Sequence, residues 1–520
     1  MTDVTVREAV FTLLRDFGLT TVFGNPGSTE LPMFRNFPAD FRYVLGLQES
    51  VVVALADGFA QARGEAALVN LHSAIGIGHA LGSIFTAYRN QTPLLITAGQ
   101  QARSMLPFEP FLYSEQAPQL PKPYVKWSVE PARAADVPAA IARAYYVAMQ
   151  PPRGPAFVSI PVDDWDRPCA PLASRRVSQI VAGDPRLLLE AATALAQAKQ
   201  PVIVVGAGVA RDDAWEETIA LAERHEAAVW VSPMSSRNSF PESHRLFAGF
   251  LPADRVGIVA LLADSDLILA LGAPVFTYHV EGQGPHIPTG AQLVQLTDDP
   301  AAAAWCAVGT SIITNLKLGV AALLALGPAP PRTPRAARAP PATAPARLTA
   351  AYVLQQIAAL RPGGTIIVEE APSSRATMHD YLPITERETF YTCASGGLGH
   401  GLPAAVGVAL ARPERKVVAL LGDGSAMYSI QGLWTAAELG VPVAFVILNN
   451  GSYQALEEFG RHFRIETLPG TQLPHLDFVG LAAAHGIQGL KVDRCQDLEA
   501  ALRRVFAATS PMLLEVRISG

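Results

Sequence analysis

Short apolar runs alternate with helical patterns along most of this chain. Two clear runs cover residues 417–421 and 443–448, and each has the length of one buried strand. Between them, four apolar residues recur at the spacing of one helical face, and Gly440 suits the end of that helix. These residues are Ile430, Leu433, Trp434 and Ala437. This order of strand, helix and strand predicts two parallel strands of one sheet.

The same alternation divides the chain into three α/β parts. Further strand-like runs lie at 21–23, 67–71, 94–98, 156–160, within 201–210 and 267–274, and at 511–518. A basic stretch rich in Pro and Ala, residues 327–347, predicts a semi-rigid linker before the last part. We therefore predict an α/β fold of three open parallel-sheet domains, at residues 1–181, 182–326 and 348–520.

The composition is that of a large soluble enzyme. The chain has 520 residues, of which 50% are hydrophobic and 17% charged, so it is too long for one core. A net charge of −6 gives no reason to expect a nucleic acid or an anionic membrane as partner. No apolar stretch is long enough to span a bilayer, and the amino terminus reads as an amphipathic helix rather than a signal peptide. The scattered Cys169, Cys306, Cys393 and Cys495 favour a reduced, cytoplasmic protein.

A Gly-Asp-Gly turn and an Asn pair follow the two runs described first. Asp423 comes directly after one run, between Gly422 and Gly424, and Asn449 and Asn450 follow the other. Since α/β sheets place ligands at the carboxyl ends of their strands, these side chains are expected to lie together. One carboxylate, one amide oxygen and a backbone carbonyl suit Mg²⁺, and glycines allow a diphosphate to approach the backbone. The spacing predicts a magnesium site for a diphosphate.

The stretch from 422 to 453 resembles the thiamine diphosphate motif of the superfamily of 2-oxoacid decarboxylases and acetohydroxyacid synthases. The likeness to the benzoylformate decarboxylases extends over the whole chain, at 22–32, 47–50, 70–76, 97–103, 272–279 and 394–405. This resemblance implies a pyrimidine-binding, a central and a diphosphate-binding domain. It also implies a homotetramer built as a dimer of dimers, with active sites between chains.

The resemblance implies how the cofactor and its metal are held. The Mg²⁺ ligands would be Asp423, Asn450 and the carbonyl of Ser452, with Ca²⁺ as a possible substitute. The remaining contacts to thiamine diphosphate would come from Gly397, Leu398, Gly422, Gly424, Ser425, Ser373 and Tyr453. Among these, Leu398 matches the apolar residue that props thiamine in its bent conformation, and ordinary core packing is its alternative.

Thiamine chemistry requires a carboxyl group beside the aminopyrimidine ring. A hydrogen bond to N1′ promotes the imino tautomer, whose N4′ can take the proton from the thiazolium. Glu49 follows an apolar run and precedes a helical pattern at 51–60. A lone Glu at that place would be a first-turn residue favoured by the helix dipole. The resemblance at 47–50 instead assigns Glu49 to the cofactor.

Three further residues match the catalytic pattern of the resembled family. Ser28 would bind the substrate carboxylate, His72 would assist proton transfers, and His279 would serve in release of the aldehyde. Imidazole suits such work because it titrates near neutrality. A single histidine at a strand end is more often structural, but the two histidines and Ser28 together favour catalysis.

The substrate pocket departs from that pattern in places. Its predicted lining residues are Phe111, Leu112, Thr392, Leu456 and Phe459. Thr392 stands where the resembled family places an aromatic residue, and Phe111 stands where an aliphatic one is usual. In this interpretation the pocket has a smaller side chain at Thr392 and a larger one at Phe111. These differences affect the predicted choice of 2-oxoacid most.

The resemblance implies nonoxidative decarboxylation of an aromatic 2-oxoacid, benzoylformate to benzaldehyde and CO₂, as in the mandelate pathway, with carboligation as a side activity. Two alternatives stay open: a carboligase like acetohydroxyacid synthase or an acyl-CoA lyase, and a noncatalytic cofactor-binding protein. Some relatives hold a flavin in the central domain. Here Gly206 and Gly208 lack the third glycine of a dinucleotide fingerprint, so FAD is an unlikely cofactor.

Overall fold

The computed structural model describes residues 4–326 and 331–519. Within them lie three six-stranded parallel sheets, which confirms the predicted fold class. The strands of the first domain are β1 (Val4–Thr5), β2 (Thr21–Gly24), β3 (Arg42–Leu45), β4 (Ala67–Leu71), β5 (Leu94–Gln100), β6 (Trp127–Val129), β7 (Ala156–Pro161) and β8 (Pro168–Cys169). Its α-helices are α1 (Val6–Asp16), α2 (Glu49–Arg63), α3 (Ser73–Asn90) and α4 (Val137–Met149). The sheet order is β3-β2-β4-β5-β7-β6, and β1 pairs separately with β8.

The central domain has a different strand order. Its strands are β9 (Pro201–Val205), β10 (Ala228–Val231), β11 (Phe247–Phe250), β12 (Leu267–Leu271), β13 (Gln292–Thr297) and β14 (Thr310–Ile313). Its helices are α5 (Pro185–Gln197), α6 (Ala207–Arg211), α7 (Trp215–His225), α8 (Arg255–Leu261), α9 (Pro300–Trp305) and α10 (Leu316–Ala325). The order is β11-β10-β9-β12-β13-β14. Gly206 and Gly208 pack against Gly272, and a Cβ on Gly208 would lie 2.6 Å from the Gly272 Cα. Close backbone packing therefore accounts for these glycines.

The third domain repeats the topology of the first. Its strands are β15 (Ile366–Glu370), β16 (Phe390–Thr392), β17 (Val417–Gly422), β18 (Val443–Asn449), β19 (Gln488–Val492) and β20 (Met512–Arg517). Its helices are α11 (Ala350–Leu360), α12 (Arg375–Tyr381), α13 (Gly401–Ala411), α14 (Asp423–Met427), α15 (Gly432–Leu439), α16 (Gln454–His462), α17 (Phe478–Ala484) and α18 (Leu498–Ala507). The order β16-β15-β17-β18-β20-β19 corresponds strand for strand to that of the first domain.

This topology gathers polar residues at the carboxyl ends of the strands. In the first and third sheets, the strand order reverses between β2 and β4 and between β15 and β17. Ligands of open α/β sheets bind at such reversals. Glu49 follows β3, His72 follows β4, and Asp423 follows β17. The predicted site residues of these two domains therefore lie at the edges where ligands are expected.

Helices α2 and α13 join the first domain to the third. Both are nearly buried throughout, and they cross where each has a glycine. A Cβ on Gly58 would lie 2.1 Å from the Ala404 carbonyl oxygen, and one on Gly407 would lie 2.0 Å from the Leu55 carbonyl oxygen. Any larger residue at either position would push the helices apart, so the two glycines set the distance between the domains.

Residues 331–349 contain no helix or strand, while 327–330 of the predicted linker lie outside the described residues. Arg332 donates to the Leu195 carbonyl, and Arg335 donates to the Glu226 carbonyl. This stretch therefore follows the surface of the central domain. Among the described residues, no helix has both the length and the apolar character needed to cross a membrane.

Candidate active site

Glu30 is the centre of a buried hydrogen-bond cluster in the first domain. Only 2% of Glu30 is exposed, and its carboxylate accepts from the backbone N–H of Gly27 and of Gly99, each at 2.9 Å. It also accepts from the Thr29 hydroxyl at 2.6 Å, and it lies 2.9 Å from His72 Nδ1. Because a carboxylate only accepts, His72 donates from Nδ1. Its Nε2 is then the nitrogen that can act on a substrate.

Ser28 lies beside this cluster. It begins a 3₁₀ helix, Ser28–Phe34, directly after Gly27. A Cβ on Gly27 would lie 2.1 Å from His72 Nδ1, so the imidazole packs onto the backbone next to Ser28. The structure thus brings together two of the predicted catalytic residues, Ser28 and His72.

Glu49 is the first residue of α2 and lies at the same edge of the sheet. Gln48 caps the helix by accepting from the backbone N–H of Ser50 and Val51. The Glu49 carboxylate lies 3.1 Å from His79 Nδ1 and 3.5 Å from the amide nitrogen of Asn25. A carboxylate at a helix N-terminus is also favoured by the helix dipole. Glu49 is therefore a buried carboxyl group held at the start of α2 by side chains from two other segments.

In the third domain, Asp423 organises the predicted metal loop. Its carboxylate accepts from the backbone N–H of Gly424 at 2.8 Å and of Gly451 at 2.7 Å. Burial raises the pKa of Asp423 above its ordinary value, while these two bonds oppose that shift. The amide oxygen of Asn450 accepts from the Ser452 backbone N–H at 3.0 Å. Asp423, at the start of α14, thus accepts from the loop after β18 that carries the other two predicted ligands, Asn450 and Ser452.

These residues fit magnesium and a diphosphate. The donors are a carboxylate, an amide oxygen and a carbonyl oxygen, which Mg²⁺ prefers. Among the described residues no group of three or more His, Cys, Asp or Glu side chains could hold a metal, so a metal here depends on amide and carbonyl oxygens as well. A Cβ on Gly424 would lie 2.3 Å from the Tyr453 ring, so a glycine is needed where the backbone passes that ring.

The other predicted cofactor contacts lie around the same sheet edge. Ser425 is buried in α14, directly after Gly424. Ser373 belongs to a short 3₁₀ helix, Pro372–Ser374, which follows β15. Gly397 and Leu398 lie in the segment between β16 and α13. The strand order places the ends of β15, β17 and β18 side by side, so these segments surround one edge.

His279 meets the third domain rather than the Glu30 cluster. Its ring lies 4.8 Å from the ring of Phe459 on α16, measured between centroids. Its backbone N–H donates to the Ala253 carbonyl at 2.8 Å. Within the described part of one chain, no hydrogen bond or ring contact joins His279 to His72. Two predicted catalytic histidines are therefore presented by different domains.

The predicted pocket residues fall into two groups. Phe111 is 86% exposed and Leu456 is 54% exposed in a single chain. Leu112, next to Phe111, adopts a left-handed conformation with φ of 64°. Thr392 is buried instead, and its hydroxyl accepts from Arg375 and donates to Glu369, each at 2.9 Å. The Thr392 hydroxyl is therefore engaged by a buried ion pair.

Sequence reasoning missed Glu30, Asn25, His79 and the buried acid Glu370. Glu30 lies two residues after Ser28, within the stretch 22–32 that carries part of the resemblance. An acidic residue inside this turn motif could therefore have been recognised from the sequence. Its partner His72 is 42 positions away and is adjacent only because β2 and β4 are neighbours. His79 lies two helical turns into α3, where nothing in the local pattern marks it.

Three stretches match domains of thiamine pyrophosphate enzymes: residues 4–119 the N-terminal TPP binding domain, 188–323 the central domain, and 372–516 the C-terminal TPP binding domain. Over 519 residues the chain is 45% identical to benzoylformate decarboxylase from Pseudomonas aeruginosa, with 98% of each chain covered. The chain belongs to the thiamine pyrophosphate enzyme family.

Solved structures of this family superpose on nearly the whole chain. Benzoylformate decarboxylase from Polynucleobacter necessarius has a TM-score of 0.97 and 41% identity, covering 99% of this chain and 98% of that one. A thiamine diphosphate-dependent 4-hydroxybenzoylformate decarboxylase from Rhodococcus jostii RHA1 has a TM-score of 0.96 and 40% identity, covering 99% of each. The match to two TPP binding domains makes thiamine diphosphate, also called thiamine pyrophosphate, the cofactor of this family member.

Proposed function

We propose that this chain catalyses the nonoxidative decarboxylation of an aromatic 2-oxoacid, converting benzoylformate to benzaldehyde and CO₂. The observation that carries the proposal is the 45% identity to a benzoylformate decarboxylase over 98% of both chains. The geometry agrees with it, because an acid and two histidines lie at sheet edges where a cofactor of this family binds. The reaction class is that of a carboxy-lyase.

The cofactor is held mainly by the third domain. Asp423, Asn450 and the Ser452 carbonyl would hold Mg²⁺, or Ca²⁺ in its place, whose positive charge would offset that of the diphosphate. Further contacts come from Gly422, Gly424, Ser425, Ser373, Tyr453, Gly397 and Leu398. When bound, thiamine diphosphate supplies a nucleophilic carbon and an electron sink for the loss of CO₂. Glu49 hydrogen-bonds the aminopyrimidine, with His79 and Asn25 holding its carboxylate in place.

The first and central domains handle the substrate. The Ser28 hydroxyl binds the substrate carboxylate, and His72 Nε2 moves protons at the reacting carbon while Glu30 fixes the tautomer and the ring. His279, held against Phe459, serves when the aldehyde leaves. Phe111, Leu112, Leu456 and Phe459 surround the aryl group, with Thr392 behind them. Carboligation with a second aldehyde would be a side activity of the same site.

Exposed apolar residues around both clusters favour active sites built between two chains. In the first domain, Leu31, Leu47 and Ile75 are large, exposed side chains next to the residues that carry Ser28, Glu49 and His72. In the third domain, exposed apolar side chains lie on or beside α16. They are Leu456, Phe463 and Ile465. Apolar surface on this scale marks an interface, so the catalytic unit is a dimer, and two dimers form the tetramer.

The test is aldehyde formation from benzoylformate, pyruvate and a branched aliphatic 2-oxoacid, each with thiamine diphosphate and Mg²⁺. We expect strong preference for benzoylformate, with activity reduced at least about a hundredfold in His72→Ala and Glu49→Gln. Glu65→Gln, an exposed acid, is the control. Aldehyde from the aliphatic acids alone would move the assignment to another decarboxylase. Acetolactate as the product, or no aldehyde at all, would contradict the proposal.

A further inference from the structure

Residues 394–401, here called the Gly397 segment, carry two of the proposed cofactor contacts and are tied to the first domain at three points. The backbone N–H of Ala394 donates to the amide oxygen of Asn90 at 2.8 Å. The hydroxyls of Ser395 and Thr86 lie 2.9 Å apart. The third point is His400, whose Nε2 lies 2.9 Å from Asp57. The segment belongs to the third domain, yet side chains of α2 and α3 hold it.

Asp57 is the anchor of this connection. It is fully buried, with 0% exposed. One carboxylate oxygen accepts from Gln61 and Thr92, and the other accepts from Asn90 and His400. Burial acts to raise the pKa of Asp57, but His400 and the other donors outweigh it and hold the pKa below its ordinary value. Asp57 is therefore a buried carboxylate, each of whose oxygens accepts two hydrogen bonds.

A buried carboxylate with four hydrogen bonds cannot move to another position without losing them. Moving a buried charge away from its partners is strongly unfavourable, because the lost hydrogen bonds are not replaced by water. Asp57 therefore fixes the positions of its hydrogen-bond donors. Of these four donors, only His400 belongs to another domain. The side chain of His400 is likewise buried, and Asp57 keeps its pKa above the ordinary value although burial alone would lower it.

Glu370 holds the backbone on either side of His400. Its two carboxylate oxygens accept from the backbone N–H of Gly399, at 2.6 Å, and of Gly401. Glu370 is the last residue of β15 and is buried. The backbone around His400 is thus fixed by the third domain, while its imidazole is fixed by the first. Leu398 lies two residues before His400 in this doubly held segment.

We propose that the Asp57–His400 pair is a positioning device for the cofactor: it anchors the Gly397 segment to the first domain of the same chain, so that Gly397 and Leu398 keep their places in the third domain, and so controls the affinity for thiamine diphosphate. Neither residue needs to contact the cofactor. The inference rests on the proposed function, because it takes Gly397 and Leu398 as cofactor contacts. It adds that a buried pair between domains determines whether those contacts are available.

The test compares two buried histidine–carboxylate pairs that join different domains. His379 of the third domain lies 2.8 Å from Glu242 of the central domain, and their side chains are 9% and 3% exposed, against 3% and 0% for His400 and Asp57. We expect His400→Leu and His379→Leu to lower the melting temperature of the apoprotein to a similar extent. Only His400→Leu is expected to weaken thiamine diphosphate binding, by about tenfold, or about 1.4 kcal/mol. His400→Gln retains a donor for Asp57 and should bind within about threefold of the wild type.

Binding is measured by titrating apoprotein with thiamine diphosphate at fixed Mg²⁺ and following intrinsic fluorescence. Equal affinity in His400→Leu and the wild type, or an equal loss in His379→Leu, would overturn the inference. If His400→Leu does not fold, Asp57→Asn takes its place, because the amide keeps the size of the side chain but cannot accept from all four donors, and wild-type affinity in that variant would also overturn the inference. A wild-type protein that does not bind thiamine diphosphate would instead refute the proposed function, on which the inference rests.

Discussion

At the scale of single residues, Glu30 has the most partners in the first-domain cluster. We expect Glu30→Gln to lower kcat for benzoylformate about ten- to a hundredfold, because the amide cannot accept from the two backbone N–H groups, Thr29 and His72 together. Steady-state kinetics check this, with circular dichroism to confirm the fold. Glu65→Gln is again the matched exposed control. Unchanged kcat in Glu30→Gln would mean that His72 does not depend on this carboxylate.

Gly424 tests the proposed diphosphate loop. The Cβ of Gly424→Ala would lie 2.3 Å from the Tyr453 ring, so either the ring or the loop must move. We expect at least about tenfold weaker binding of thiamine diphosphate at limiting Mg²⁺, measured by fluorescence titration of the apoprotein.

Gly363→Ala is the control for that change, since a Cβ there meets nothing within 4 Å. Its affinity for thiamine diphosphate should equal that of the wild type. If both alanine variants bind alike, the backbone at Gly424 is not close to the bound diphosphate, and the proposed contact is wrong.

At the scale of elements, much of the fold follows from the sequence. The predicted strand 67–71 coincides with β4, and the predicted helix end at Gly440 is observed, with φ of 62°. The strand is buried, so it appears in the sequence as an apolar run. The helix ends at a glycine, which the sequence shows directly. Short strands such as β16 lack such a signal. The proposed metal site was predicted from the ends of two strand-like runs, because parallel strands of one sheet end on the same side.

Contacts between elements could not be predicted in this way. His400 and Asp57 are 343 positions apart, and their pairing depends on how α2 crosses α13. His79 reaches Glu49 only because α2 and α3 pack side by side. Hydrophobic periodicity shows which face of a helix is buried. It does not show which polar residues of two different helices form a hydrogen bond. The proposed site was therefore recovered from motifs, while the residues that hold it came from the structure.

Glu370, at the end of β15, gives the structure a testable pH dependence. Burial raises the pKa of Glu370 to about 7, with Glu369 adding to the shift and His400 opposing it together with the Gly399 and Gly401 amides. A carboxyl with a raised pKa stabilises the fold fully below its unfolded value, near 4.5, and that contribution is lost as the pH rises through about 7.

We therefore expect Glu370→Gln to gain stability relative to the wild type as the pH rises from about 4.5 to 8, by up to about 3 kcal/mol. Melting temperatures of the two apoproteins across this range check the direction of the difference. The exposed Glu438→Gln should follow the wild type at every pH. Parallel curves for Glu370→Gln and the wild type would show that Glu370 titrates in the folded chain as it does in the unfolded one.

At the scale of the whole molecule, the residues of the proposed site fall into two groups on a single chain. Glu49 and its neighbours lie at the carboxyl ends of the strands of the first sheet. Asp423 and the loop that donates to it lie at the carboxyl ends of the strands of the third sheet. Among the described residues, no hydrogen bond connects these two groups. The first domain also exposes Phe108 and Phe111, at 82% and 86%. Large apolar side chains exposed together are typical of a surface that another chain covers. A second copy of the chain that does so would bring its Asp423 loop to this Glu49.

Complementation between two inactive variants tests this arrangement. Glu49→Gln and Asp423→Asn should each give homodimers without decarboxylase activity, because every site lacks one group. In a mixed dimer, one site combines Glu49 from one chain with Asp423 from the other, while the second site lacks both. Co-expression of differently tagged chains at equal levels should therefore restore about a quarter of the wild-type activity, since random pairing makes half of the dimers mixed and each has one intact site. Because two dimers form each tetramer, purification through both tags removes only about one tetramer in eight and should raise this to about 29%. If each site were contained in one chain, the doubly tagged tetramers would stay as inactive as their parents, because every chain in them would still carry one defect.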